Sequence, residues 1–452
     1  MHKFLKLEKH NYKYFLFSLF TFISLVIQII RFVHYDSVPI GYESYFHQRM
    51  AASILTGNRS YNPFHLLISG FSLIFGTLNV AKILPLIMGY ITLWLLIKFF
   101  EKTGMDLIER FIVLLILTTS PVFIYLSSTL NVYLFGLMMV LAGALFYLED
   151  RTIFKNICYL IILLSSFYLG LLISIICLFE YLRDKNKSQF FYFLFVLIFS
   201  IASFQIVPYT DAGNNLISSF IGDLGAVLGF NIYALILSIF GLLGLWKHKR
   251  MHFQAYGITL ILFIISVFFD KRINIFLLLP FSFFAAKGLI HFKNREWNML
   301  LIKDLTMLIL LVGFTISTIS SIKEVANTGP NNEVYESLTV LKDYANKNEK
   351  VFSTYDKSEW IRSIGGAEVV NDFNEPNYEL TKQILLPRNL NNLLNLLKEN
   401  KITYIWIDDD IRERYFDNEE QGLIYFMKNS DNFYNIFQNE YAELWEFSGD
   451  SE

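Results

Sequence analysis

Apolar residues run in blocks of about twenty as far as residue 321 and then give way to shorter, interrupted runs. A helix needs about 20 apolar residues to cross a hydrocarbon core of roughly 30 Å. On that ruler the pattern predicts spans near 14–33, 79–99, 109–127, 131–149, 189–207, 226–246, 253–269, 273–291 and 301–321. Residues 155–183 are long for one untilted span and short for two. Lys155 on one flank and Arg183, Lys185 and Lys187 on the other are all cytoplasmic in character. A tight hairpin of two short helices around Gly170 satisfies that charge pattern and brings the total to about eleven spans. Pro63 to Phe75 is apolar but only about a dozen residues long, which predicts an interfacial or re-entrant helix rather than a crossing.

From Asn331 the texture becomes an alternation of helical and strand signals. Val334–Tyr344 has helical spacing, and Val351–Thr354 has the composition of a strand. Glu359–Ile364 reads as a helix closed by Gly365 and Gly366, and Glu368–Val370 as a second strand. Leu390–Leu397 is amphipathic, and the β-rich run Ile402–Ile407 ends in Asp408-Asp409-Asp410. Such alternation predicts a small α/β domain with a parallel sheet. The expected fold class is therefore a polytopic α-helical membrane protein with a C-terminal extracytoplasmic α/β domain. Residues 1–321 form the membrane domain, with an outer loop and juxtamembrane helices at 34–78, and residues 322–452 form the soluble domain.

Composition and charge sharpen this picture. With 54% hydrophobic and 17% charged residues, the chain is too apolar for an ordinary soluble protein of 452 residues. The formal net charge of −2 hides a split. Residues 322–452 hold 13 Lys and Arg against 25 Asp and Glu, leaving 25 and 15 of the chain's 38 and 40 to residues 1–321. A basic membrane half and an acidic tail suit cytoplasmic basic loops and an exported tail. Lys3, Lys6, Lys9 and Lys13 precede the first apolar run and Asp36 and Glu43 follow it, so the amino terminus is expected inside and the acidic segment outside. That first run lacks a clear small-residue cleavage site and reads as a retained helix. Lys98, Lys102, Arg110, Arg151, Lys155, Lys247, Lys249, Arg250, Lys293 and Arg295 then fall inside. Asp211 and Asp223 fall outside, together with Asp270-Lys271-Arg272, a basic exception. Cys158 and Cys177 lie in apolar segments and imply neither a disulfide framework nor a zinc cluster. No GxGxxG, P-loop, GxSxG or HExxH pattern occurs, so nothing points to a nucleotide site, a serine hydrolase or a zincin, and nothing points to nucleic acid.

Candidate chemistry concentrates in Gly41-Tyr42-Glu43-Ser44-Tyr45-Phe46-His47-Gln48-Arg49, directly after the first span. A carboxylate at the membrane face serves as general base or metal ligand, and Arg and His donate to phosphate oxygens. A solvated helix with i,i+4 charge pairing would carry the same residues. Asp36 is a candidate second acid, although an interfacial Asp is more often simply solvated. Asp223 reads as a helix cap. Asp408–Asp410 read as a strand-end turn, since EF-hand spacing is lacking.

The ensemble of motifs resembles the GT-C class of lipid-phosphosugar-dependent glycosyltransferases, which includes the catalytic subunit of oligosaccharyltransferase, protein O-mannosyltransferases and aminoarabinose transferases. The Gly41–Arg49 segment is similar to the class motif Gly-x-Asp-Ser-Tyr-Tyr-His-x-Arg. Asn62-Pro63-Phe64-His65, Ala81-Lys82-Ile83-Leu84-Pro85, Ser120-Pro121-Val122-Phe123 and the run from Arg272 through Leu279-Pro280 to Ala285-Ala286 resemble later elements. The resemblance implies an integral protein of the cytoplasmic membrane that moves a sugar from a polyprenyl-phosphate donor to a glycan, lipid or protein acceptor on the outer face. Glu43 and Asp36 would be catalytic, and Tyr45, His47, Arg49 and Arg272 would bind substrate. Glu43 stands where the class carries Asp, and the alternative is a catalytically inactive scaffold or lipid-binding member. No second acidic pair lies near Ser127–Asn131, so a divalent metal is not favoured. Ser353-Thr354-Tyr355-Asp356-Lys357-Ser358-Glu359-Trp360 takes the place of the oligosaccharyltransferase motif Trp-Trp-Asp-Tyr-Gly, which argues against Asn glycosylation.

Overall fold

The computed structural model describes residues 11–34, 39–57, 62–184, 187–202, 220–224, 226, 228–246, 249–268, 273–346, 349–372, 377–416 and 421–448. Two compact units emerge, one made of Met1–Ile30 and Met50–Asn327, the other of Arg31–Arg49 and Thr328–Glu452.

The first unit is helical among its described residues. Among the described residues four helices, beginning at Asn11, Thr77, Asn274 and Leu300, are long and apolar enough to cross a membrane. A fifth crossing results if Leu107–Thr118 and Pro121–Ser128, bent by 59° at their junction, form one broken span. Shorter apolar helices, among them Val132–Leu148, Thr152–Ser165 and Ile232–Leu245, lie at other predicted positions. The predicted span at 109–127 is interrupted because Pro121 lacks an N–H and has its φ preset, so it starts a new helix instead of continuing the old one. The expected break at Gly170 falls instead at Ser166, whose extended backbone (φ −161°) separates Thr152–Ser165 from Phe167–Asp184. Gly170 sits inside the second helix, where a Cβ would lie 2.6 Å from the Ser200 hydroxyl oxygen, so close packing explains this glycine. Pro63–Phe75 is a short helix as expected. It starts with Pro after an Asn62 cap and buries Phe64, His65 and Ile68, while Leu66 and Leu73 stay exposed.

Several buried charged groups in this unit are paired. Lys155 meets Glu180 at 2.7 Å with both side chains largely buried, and Lys287 meets Glu109 at 2.7 Å. Asp223 accepts from the Ile232 amide at 2.7 Å, and Asn231 accepts from Tyr233 and Ala234, so the start of Ile232–Leu245 is capped twice. That helix packs on Asn274–Asn294 backbone to backbone. A Cβ on Gly241 would lie 1.8 Å from the Phe284 carbonyl oxygen, and one on Gly288 would lie 2.1 Å from that of Leu237. Small residues permit such approach, and in lipid it is van der Waals packing that holds helices together.

The second unit carries a five-stranded sheet of order β2-β1-β3-β5-β4, with β1 Lys350–Phe352, β2 Glu368–Val369, β3 Ile402–Asp408, β4 Phe433–Gln438 and β5 Ala442–Phe447. β1 pairs parallel with β2 and β3, whereas β5 pairs antiparallel with β3 and β4. The sheet is therefore mixed, correcting the expectation of a parallel one. The hairpin turn depends on Asn439, whose side chain accepts from the amides of Tyr441 and Ala442. β3 is buried along nearly its whole length, as a central strand covered on both faces should be. Trp406 is fully buried there and donates its indole N–H to Ser337 at 3.0 Å. Helix Asn332–Tyr344 supplies Leu338 and Leu341 to the same core, helix Leu390–Glu399 supplies Leu393 and Leu397, and Tyr45 joins it from the segment near the amino terminus.

Gly241→Ala should lower the thermal stability of the detergent-solubilised protein by about 1–3 kcal/mol, the usual cost of overpacking. Gly244→Ala is the control, since a Cβ there meets nothing within 4 Å. Equal melting temperatures for the two variants would show that the Gly241 contact yields cheaply.

Candidate functional site

The motif helix runs from Tyr42 to Leu55, and its start is set by Gly41, whose φ of +70° favours glycine. The Gly41 amide donates to the Thr328 carbonyl at 3.0 Å, and the Ser44 hydroxyl donates to the Ile40 carbonyl at 2.6 Å. Glu43 stands in the first turn, where the helix dipole favours a carboxylate, and is only 4% exposed. His47, also buried, lies four residues on and so shares its face. Tyr45 points into the core of the second unit. Its hydroxyl has no hydrogen-bond partner among the described residues, and burial pushes the phenol well above its ordinary range, against the opposing charge of Arg31.

Arg49 forms a two-pronged bond to Glu359. Nε donates to Oε2 at 2.9 Å and Nη2 to Oε1 at 2.7 Å, while the guanidinium carbon sits 5.7 Å from the Phe46 ring centre. Burial works against the arginine's charge, but the hydrogen bonds and charge of Glu359 outweigh it and hold the guanidinium above its usual range. Arg362 approaches the same carboxylate at 3.7 Å and pairs with Asp372 at 2.7 Å. Glu359 is thus a residue that sequence reading missed, having been taken as the start of a helix. No spacing rule links it to Arg49, 310 positions away. Asp36 and Arg272 lie outside the described residues.

The Ser353–Trp360 segment forms a second cluster. The Lys357 ammonium is buried, 3.0 Å from Asp408, 2.9 Å from Asp410 and 4.0 Å from Asp356, with the Trp360 ring centre at 4.7 Å. Burial opposes the charge here too, yet the aspartates prevail and hold the ammonium above its usual range. Asp408 also accepts from the Ile411 amide at 3.0 Å, so the acidic run is a strand end and helix cap. Buried polar atoms in this segment, the Thr354 hydroxyl and the Trp360 indole N–H among them, have no hydrogen-bond partner among the described residues. No three His, Cys, Asp or Glu side chains among the described residues converge in a way that could hold a metal ion.

No protein-family model matches the sequence, and no curated protein matches it. Solved structures do match in fold. The Archaeoglobus fulgidus oligosaccharyltransferase in its apo form aligns over 89% of this chain and 70% of its own, at 13% identity and TM-score 0.60. The same organism's AglB, in complex with an inhibitory peptide and a dolichol-phosphate, aligns over 88% and 69%, at 12% identity and TM-score 0.59. The mycobacterial arabinofuranosyltransferase AftD aligns over 95% of this chain and 40% of its own, at 12% identity and TM-score 0.52. The chain has the GT-C fold. Glu43, His47 and Arg49 fall on the helix that follows the first apolar helix.

Replacing Lys357 with Met would strand Asp408 as a buried charge without its cation, while Asp356 and Asp410 keep Arg414. Removing one partner of a buried pair costs about 3–5 kcal/mol, so a marked fall in thermal stability at neutral pH is expected. The deficit should shrink as the pH falls through the carboxylate range, because the stranded Asp408 then takes up a proton in the folded state. Melting curves across pH check both statements.

Proposed function

We propose that the protein is a membrane glycosyltransferase that passes a sugar from a polyprenyl-phosphate donor to a hydroxyl-bearing acceptor on the outer face of the cytoplasmic membrane. The observation that carries this reading is the buried Glu43 at the head of the motif helix in a chain of GT-C fold. Glu43 takes the proton of the acceptor hydroxyl. The oxygen attacks the anomeric carbon, and the bond from that carbon to the phosphate oxygen breaks. The polyprenyl phosphate departs with the bonding electrons, and its charge is met by Arg49 and Arg272, whose forked donors suit phosphate oxygens. His47 lines the site on the face of Glu43, and Asp36 is the second acid. Tyr45, expected to bind substrate, instead fills the core of the second unit. Of the matched proteins, one is an oligosaccharyltransferase solved with an inhibitory peptide and a dolichol-phosphate and another is an arabinofuranosyltransferase, which supports glycosyl transfer and a lipid-phosphate ligand. The Ser353–Trp360 segment argues for an acceptor other than Asn. The reading carries about eleven spans, an inside amino terminus, and the domain 322–452 outside.

Glu43→Gln keeps shape and removes basicity, so turnover of a radiolabelled polyprenyl-phosphate sugar by the purified protein should fall at least about a hundredfold. Full activity in that variant assigns the base elsewhere, Asp36 first. A cysteine at the exposed Tyr434 should react with an impermeant reagent from outside intact cells, and one at the exposed Arg151 only after permeabilisation. The reverse pattern would overturn the topology.

A further inference from the structure

Arg49 carries five N–H bonds, and Glu359 takes two of them along the side of the fork, from Nε and Nη2. Phe46 lies against one face of the guanidinium at 5.7 Å. One donor on Nη1 and the second on Nη2 project together from the end of the fork, the other Nη1 donor points back alongside Cδ, and the side chain is 33% exposed. Glu359 is different: it is 1% exposed. Its carboxylate faces a second cation, Arg362, at 3.7 Å, and its neighbours Trp360 and Ile361 are packed into the hydrophobic core. A carboxylate so enclosed cannot swing aside to vacate the arginine, because leaving both cations would strand a buried charge. It therefore does not compete with an incoming anion for Arg49. It fixes the plane and direction of the guanidinium while leaving a two-donor edge open, the edge that matches two oxygens of a phosphate.

We propose that Glu359 is a positioning residue for donor recognition, holding Arg49 side-on so that its open edge meets the phosphate of the lipid carrier. This rests on the reading that Arg49 contacts that phosphate. An unheld arginine samples many rotamers and must be ordered by the ligand itself, which weakens binding. The requirement is geometric as well as electrostatic, so an equivalent ion pair with its members exchanged does not satisfy it.

The test is binding of undecaprenyl phosphate, against undecaprenol as the phosphate-free control, to the purified full-length protein in detergent. Wild type should prefer the phosphate. Arg49→Gln and Glu359→Gln should each lose about tenfold or more in affinity for it, the scale of a charge-assisted hydrogen bond, with undecaprenol binding unchanged. Glu359→Asp should recover part of the loss. The exchanged pair, Arg49→Glu with Glu359→Arg, should melt close to wild type and still bind the phosphate weakly. Wild-type affinity in folded Glu359→Gln, tighter binding there, or restored affinity in the exchanged pair would overturn the proposal and leave Glu359 as a brace. Should Glu359→Gln fail to fold, the Asp variant and the exchanged pair decide. If wild type itself does not distinguish phosphate from alcohol, the donor reading falls and the proposal with it. If Arg49→Gln behaves as expected and the Glu359 variants do not, the proposal alone fails.

Discussion

A carboxylate shut away from water must find a cation, and Glu359 finds one 310 positions away in Arg49. That requirement governs the second unit. It ties the Arg31–Arg49 segment to the residues beyond Thr328 through a contact that tolerates little displacement, since both prongs of the guanidinium are used. Neutral contacts follow the same path. The Gly41 amide reaches the Thr328 carbonyl, and Tyr45 fills space in the core around Trp406. The motif helix is therefore oriented by the folding of a domain far along the chain, and the depth of Glu43 is a consequence of that packing.

In the first unit the same demand takes the form of backbone satisfaction. A helix in lipid meets its own hydrogen bonds, and every interruption must be repaired locally. The interruptions occur where the sequence supplies the repair. Pro121 begins a helix without needing an N–H partner, and Asn231 together with Asp223 caps the amides at the start of Ile232–Leu245. The Asn62 side chain caps Pro63–Phe75 by accepting from the Phe64 amide, and it donates to the Ser165 carbonyl near the break at Ser166. Buried charges such as Lys155 with Glu180 and Lys287 with Glu109 are paired, as ionisable groups in membranes require.

The sequence disclosed the positions of apolar helices because each rests on a local, additive signal, the run of apolar residues, but among the described residues only four of them, or five with the bent pair, are long and apolar enough to cross a membrane, against about eleven expected. It placed Pro63–Phe75 as a short helix and the strand Ile402–Ile407 to within a residue of what the structure holds. It misplaced the break at 170 because glycine marks both turns and close helix contacts, and only the neighbouring helix reveals which applies. The parallel sheet was wrong in half because β4 and β5 lie in an Asn- and Tyr-rich stretch whose alternation is weak. β4 is mostly exposed, as an edge strand should be, so its residues carry little hydrophobic pattern. That Glu43, His47 and Arg49 share one helix could be read from spacing. Glu359 could not, because an ion pair across the chain leaves no periodic trace.

The sheet topology also bears on which cation can read a phosphate. In an open α/β sheet, the crevice at the carboxyl ends of parallel strands is the usual ligand site where neighbouring connections diverge. β1 and β3 are such neighbours, for the chain leaves β1 toward β2 on one side and β3 toward the helix Asp409–Tyr415. Lys357 and Asp408 stand at those ends. Yet Lys357 is matched by Asp408, Asp410 and Asp356, and even with Arg414, which pairs with Asp410 at 2.9 Å, the cluster holds three carboxylates against two cations. An anion would meet a net negative field there and would have to displace carboxylates already bonded to the lysine. Arg49 differs in having one carboxylate on one edge and an open edge beside it. Within this unit the arginine with an open edge lies at the motif helix, whereas the lysine at the crevice of the sheet is already met by carboxylates.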